Sequence, residues 1–124
     1  MPKKILIIDD EEDVAAMAKL RLQASGFSCF EAYTAQEGLK MAEEEAPDLI
    51  LLDILLPDSH GVEVCRRLKS NPKTREIAII IFSASNLKEM VEKAIEAGAV
   101  DYIIKPFEPS ELLEKIDKAL DLTK

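Results

Sequence analysis

Asp9 and Asp10, Asp53, Ser83 and Lys105 each stand directly after a short apolar run, at residues 5–8, 49–52, 77–82 and 102–104. Three carboxylates, a hydroxyl and an amine in such positions make a chemically usable set if the chain brings them to one place. A carboxylate is a weak nucleophile, but it can accept a phosphoryl group as an acyl phosphate. Three carboxylates packed together repel, and one is then driven toward its protonated form. A hard divalent cation, Mg²⁺ or Mn²⁺, removes that conflict, because it takes oxygen ligands and tolerates one or two carboxylates beside water or phosphate. Asp9, Asp10 and Asp53 can build such a metal site. Phosphoryl transfer is mainly positioning and charge neutralisation. Lys105 offers a compact positive charge for one phosphoryl oxygen and the Ser83 hydroxyl a donor for another.

The elements that must position these groups are legible. The apolar runs at 5–8, 29–32, 49–52, 77–82 and 102–104 are short, and most lack a polar face, as expected of strands covered on both sides in a parallel sheet. The second run is more mixed and is expected at an edge. Between them lie stripes of helical period: Val14, Met17, Ala18 and Leu22; Ala35, Leu39, Ala42 and Ala46; Leu87, Val91, Ala94 and Ile95; Leu112, Ile116, Ala119 and Leu120. A further helix spans 61–70 with Val64, Cys65 and Leu68 inward. Thr34 with Glu37 forms a capping box, and Asn86 with Glu89 resembles one. Pro109 suits a first helical turn, and Gly26 and Gly98 stand where helices should stop. Five strands alternating with five helices predict one α/β domain over residues 1–124, a doubly wound parallel sheet with helices on both faces. Ligands of such sheets sit beyond the carboxyl ends of the strands, which is where the chemical set falls.

The bulk properties narrow the function. A formal net charge of −8 argues against direct nucleic-acid binding, which needs clustered Lys and Arg. No apolar run is long enough for a signal peptide or a membrane span, so a cytoplasmic location is expected. Cys29 and Cys65 match no zinc or redox spacing and are expected to be buried, reduced thiols. His60 has no His or Cys partner and is not read as a ligand.

The pattern Ile7-Ile8-Asp9-Asp10-Glu11, then Leu52-Asp53-Ile54-Leu55-Leu56-Pro57-Asp58 with Gly61, then Ser83-Ala84, then Gly98 to Phe107 through Lys105-Pro106, resembles the receiver domain of two-component response regulators. The resemblance runs from about Lys4 to the last helix. It implies a flavodoxin-like fold with strand order 2-1-3-4-5. It implies that Asp53 accepts a phosphoryl group from a sensor histidine kinase or phosphotransfer protein. Asp10 and Asp53 would then bind Mg²⁺ directly, Asp9 through water, and the Leu55 backbone carbonyl would add a ligand. Ser83 and Tyr102 would form the conformational switch, and the Lys105-Pro106 peptide would be cis. The output would reach a downstream target or an output domain absent from this chain, through helix four, strand five and helix five. The same surface allows a homodimer. Such a protein is a phosphoacceptor rather than a turnover enzyme, assisting its own phosphorylation and slow autodephosphorylation.

Two side chains depart from common family patterns. Leu55 is apolar and Ser85 small at positions expected to flank the phosphoryl group. Three rival functions remain open at this level. A haloacid-dehalogenase-type phosphatase also uses an Asp after an apolar strand, but wants a second Asp where Leu55 stands. A flavodoxin-like cofactor binder needs a phosphate-cradling loop where Asp9-Asp10-Glu11-Glu12 would repel phosphate. A degenerate receiver would bind proteins without phosphorylation.

Overall fold

A computed structural model describes residues 2–122. Its elements alternate: β1 Lys4–Ile8, α1 Glu12–Ala24, β2 Ser28–Ala32, α2 Ala35–Glu45, β3 Leu49–Asp53, α3 Gly61–Ser70, β4 Ala78–Ala84, α4 Lys88–Glu96, β5 Asp101–Lys105 and α5 Pro109–Leu122. All strand pairs are parallel, in the order β2-β1-β3-β4-β5. This is the doubly wound arrangement expected from the apolar runs, in the flavodoxin-like order that the family resemblance implies, with the mixed strand β2 at an edge.

The apolar content of the strands is divided between two cores. One face carries Leu6, Ile8, Ile50, Leu52, Ile79 and Ile81 and is covered by α2, α3 and α4. The other carries Ile5, Ile7, Leu49, Leu51, Ile80 and Phe82 and is covered by α1 and α5. Successive residues of one strand therefore enter opposite cores, which is why β3 needs an unbroken apolar run.

Four local expectations are corrected. On α1 the buried stripe is Ala15, Ala18 and Leu22, not the stripe through Val14 and Met17; Met17 is 63% exposed. Both sets have helical spacing, and the alanines allow a closer approach to the sheet. On α4 the buried residues are Val91 and Ala94, while Ile95 is exposed. Leu87, not Asn86, holds the N-cap position, and no side chain caps that helix, so the Asn86–Glu89 pair is not a capping box. Cys65 is buried as expected, but Cys29 is only half-buried.

Gly98 shows how tightly the α4–β5 turn is built. Its φ of +121° is disfavoured for any side chain, and a Cβ there would lie 2.7 Å from Lys69 Cγ. The Lys69 ammonium is held in turn by the carbonyls of Arg75 and Ile77, at 3.0 and 2.7 Å. Gly98→Ala is expected to destabilise the fold by about 2 kcal/mol, read as a lower midpoint in urea unfolding with unchanged slope.

Candidate functional site

The sheet register assembles the rim. Ile8 pairs with Leu52, so Asp9 and Asp53 emerge side by side from the two central strands. Asp53 pairs with Phe82, and Ala84 pairs with Lys105. Asp9, Asp53, Ser83 and Lys105 thus come to the carboxyl edge of β1, β3, β4 and β5.

Asp9 is fully buried and Asp53 nearly so, whereas Asp10 is exposed. Carboxylate oxygens of the three lie within 4.8 Å of one another. Lys105 Nζ lies among the acids, 2.8 Å from Asp9 Oδ2, 3.3 Å from Asp53 Oδ2 and 3.1 Å from Glu11 Oε1. Asp9 Oδ1 accepts the Glu11 amide at 2.9 Å, and Asp53 Oδ1 accepts the Leu55 amide at 3.2 Å. Burial, and after it the Asp9 carboxylate, push the Asp53 carboxyl up to about 7, against the pull of Lys105. Burial works to lower the Lys105 ammonium, but its hydrogen bond to Asp9 and the surrounding carboxylates outweigh it and hold it above its usual value. A pair of buried carboxylates with a third at the rim, only partly neutralised by one lysine, suits a hard divalent cation with oxygen ligands.

Above these groups lies a solvent-open cavity of about 280 Å³, lined by Asp10, Glu11, Asp53, Leu55, Ala84, Leu87 and Lys105. Leu55 flanks Asp53 as expected. Ser85 does not: it lines a separate cavity of about 230 Å³ with Lys88, Val91, Tyr102 and Ile104, while Ala84 and Leu87 line the cavity that contains Asp53.

Ser83 is fully buried, and its hydroxyl donates to the Ala84 carbonyl at 2.8 Å. Register places Ser83 beside Ile104 and Tyr102 beside Ile81, so Ser83 and Tyr102 belong to the same face of the sheet. Tyr102 is 42% exposed, with Lys115 Nζ 4.8 Å from its ring centroid. The Lys105-Pro106 peptide is cis. His60 is exposed and precedes α3 without a side-chain cap bond.

Two residues of the site had no assigned role in the sequence reading. Glu11 is a third acceptor for Lys105; its place beside Asp9-Asp10 was the available signal. Asp58 reaches from the β3–α3 loop to the amides of Ala35 and Gln36 at 2.7 and 3.0 Å. No local pattern announces a cap donated from 22 residues away.

The chain matches the family model described as the response regulator receiver domain over residues 5–117. It is 40% identical over 121 residues to the phosphate regulon transcriptional regulatory protein PhoB of Pseudomonas aeruginosa, covering 98% of this chain and 53% of that protein. It is 37% identical over 120 residues to the alkaline phosphatase synthesis transcriptional regulatory protein PhoP of Bacillus subtilis, covering 97% and 49%. The chain therefore spans about half the length of these curated relatives. Among solved structures, a CheY-like response regulator receiver domain protein from Methanospirillum hungatei is 35% identical, with a TM-score of 0.92 and coverage of 99% and 97%.

Proposed function

Because the chain belongs to the response regulator receiver domain family, we propose that it is a phosphoacceptor switch whose acceptor is Asp53. The observation that carries this reading is the Asp53 carboxylate at the open end of β3, beside Asp9 and within 3.3 Å of Lys105. Mg²⁺, or Mn²⁺ in its place, would be held by Asp9, Asp10, Asp53 and the Leu55 carbonyl. When bound, the ion supplies positive charge for the carboxylates and for phosphoryl oxygen.

The donor is a phosphohistidine of a sensor kinase or phosphotransfer protein. An Asp53 oxygen attacks phosphorus; the new P–O bond forms as the P–N bond breaks, and the imidazole nitrogen keeps the electron pair. Lys105, already directed at Asp53 Oδ2, takes a phosphoryl oxygen in exchange for its carboxylate partners. The Ser83 hydroxyl leaves the Ala84 carbonyl for another phosphoryl oxygen, and the exposed Tyr102 ring turns inward on the same face. Phosphorylation thereby favours one of two conformers of the surface made by α4, β5 and α5. That surface would address a target, a second copy or an attached output domain. A cytoplasmic setting agrees with two free cysteines and with the absence, among the described residues, of any helix long and apolar enough to cross a membrane.

Intact-mass measurement after incubation with acetyl phosphate and Mg²⁺ tests the reading. One added phosphoryl group is expected, absent with EDTA and absent in Asp53→Asn. Modification that persists in Asp53→Asn would place the acceptor elsewhere.

Leu55 has a distinct role in this scheme. It is 43% exposed and borders the cavity above Asp53, so its apolar side chain shields the acyl phosphate from water. Leu55→Asn is expected to speed loss of the phosphoryl group several-fold, measured as decay after donor removal. A decay rate unchanged or slower would refute the shielding role.

A further inference from the structure

Residues 54–60 form a tight excursion between β3 and α3, and it is pinned at two ends. At its base Gly61 N donates to the Ile54 carbonyl at 2.7 Å, and a Cβ on Gly61 would lie 2.9 Å from both the Asp53 carbonyl oxygen and Ile54 Cα. Inside it, Leu56 N donates to the Ser59 carbonyl at 3.1 Å, and Leu55 bridges to His60. At its tip Asp58 leaves the loop altogether. Its two oxygens divide between two amides of the first turn of α2: Oδ1 accepts from Ala35 N and Oδ2 from Gln36 N. Thr34 Oγ1 accepts from Glu37 N at 3.1 Å and the Thr34 carbonyl from Gly38 N at 3.0 Å, so the first four amides of α2 are all satisfied.

We infer that Asp58 is a positioning residue for the metal site: by fastening the loop tip to the N-terminus of α2, it holds the Leu55 carbonyl where a divalent cation bound by Asp9, Asp10 and Asp53 can use it. This rests on the proposed function. Leu55 lies between the two anchors, three residues before Asp58; its amide donates to Asp53 Oδ1, and its pairing with His60 is carried by the bonds on either side, Gly61 N to the Ile54 carbonyl and Leu56 N to the Ser59 carbonyl. Ile54 and Leu56 are buried, while Leu55, Pro57, Asp58 and His60 are exposed, so without the tip anchor more of the ordering of this exposed part would fall to the bound cation. The Gln36 and Ala35 amides hold the Asp58 carboxyl below its usual value, so the fork stays ionised at neutral pH.

Thr34 supplies the control. Thr34→Ala removes a cap from the same helix end without touching the loop, so it weakens α2 and leaves the loop anchored. Mg²⁺ dissociation constants, measured by calorimetry well below each variant's melting temperature, are expected to rise about tenfold for Asp58→Ala. Thr34→Ala should bind like the wild type. Asp58→Asn keeps one acceptor oxygen on the same short side chain and should fall between; it is also the variant to read if Asp58→Ala does not fold. In metal-free protein, hydrogen exchange at the amides of Leu55, Leu56 and Gly61 should quicken in Asp58→Ala and not in Thr34→Ala.

Wild-type affinity and loop protection in both Asp58 variants would overturn the inference. So would equal Mg²⁺ losses in Asp58→Ala and Thr34→Ala, which would trace the effect to fraying of α2. Absence of Mg²⁺ binding by the wild type would instead overturn the proposed function, and this inference with it.

Discussion

Replacing Lys105 with Met is expected to slow phosphoryl transfer to Asp53, the proposed acceptor, by about 10²-fold while leaving Mg²⁺ affinity undiminished. Loss of one preorganised charge partner of a reacting group costs rate on this scale. The second half of the expectation follows from where Lys105 sits. Its ammonium contacts Asp9, Asp53 and Glu11, so it would compete with a cation for the same carboxylates. Removing it makes the cluster more negative, and Mg²⁺ then binds as tightly as before or more tightly. A purely structural lysine would give the opposite pattern, with weaker metal binding from a disordered rim and a rate restored at saturating Mg²⁺. Initial rates with acetyl phosphate across a Mg²⁺ series separate the two.

Asp53→Asn is expected to make the metal-free protein more stable at pH 8, by on the order of 3 kcal/mol, with the advantage disappearing toward pH 4. Burial and Asp9 raise the folded-state value of Asp53 to about 7, far above its value in an unfolded chain. Between about pH 4 and 7 the folded state holds a proton that the unfolded state releases, so stability falls as pH rises through that window. Above it, the ionised carboxylate stands beside Asp9 at full cost. Asparagine has no charge to lose, so the difference between the two proteins reports Asp53 together with the groups it acts on directly, Asp9 and Lys105, and removes the distant titrating groups. Saturating Mg²⁺ should narrow the gap, because the ion binds the folded wild type and offsets the repulsion. Urea unfolding at several pH values in chelator-treated buffer measures this; a gap independent of pH would mean that Asp53 is not the strained carboxylate.

The parts legible in the sequence are those governed by short-range pattern. Unbroken apolar runs such as 49–52 mark strands buried on both faces, and residues just beyond parallel strands must share one edge. That is enough to bring Asp9, Asp53 and Lys105 together without knowing a single distance. What escaped depends on choices the pattern leaves equal. On α1 the stripe through Val14 and Met17 and the stripe through Ala15 have the same period, and only packing against the sheet selects the alanines. Ser85 and Ala84 are adjacent, yet Ser85 lines the cavity with Tyr102 and Ala84 the cavity with Asp53. Asp58 caps a helix that precedes it by more than 20 residues, a pairing created by the fold alone.

The central claim is the identity of the acceptor atom, and chemical trapping addresses it directly. An acyl phosphate is reduced by borohydride where a free carboxylate is not, converting an aspartyl phosphate to homoserine. After incubation with acetyl phosphate and Mg²⁺, reduction and peptide mass mapping should find homoserine at position 53, with Asp9 and Asp10 unchanged. Homoserine at either of those positions, or phosphate retained on Ser83 with Asp53 intact, would contradict it.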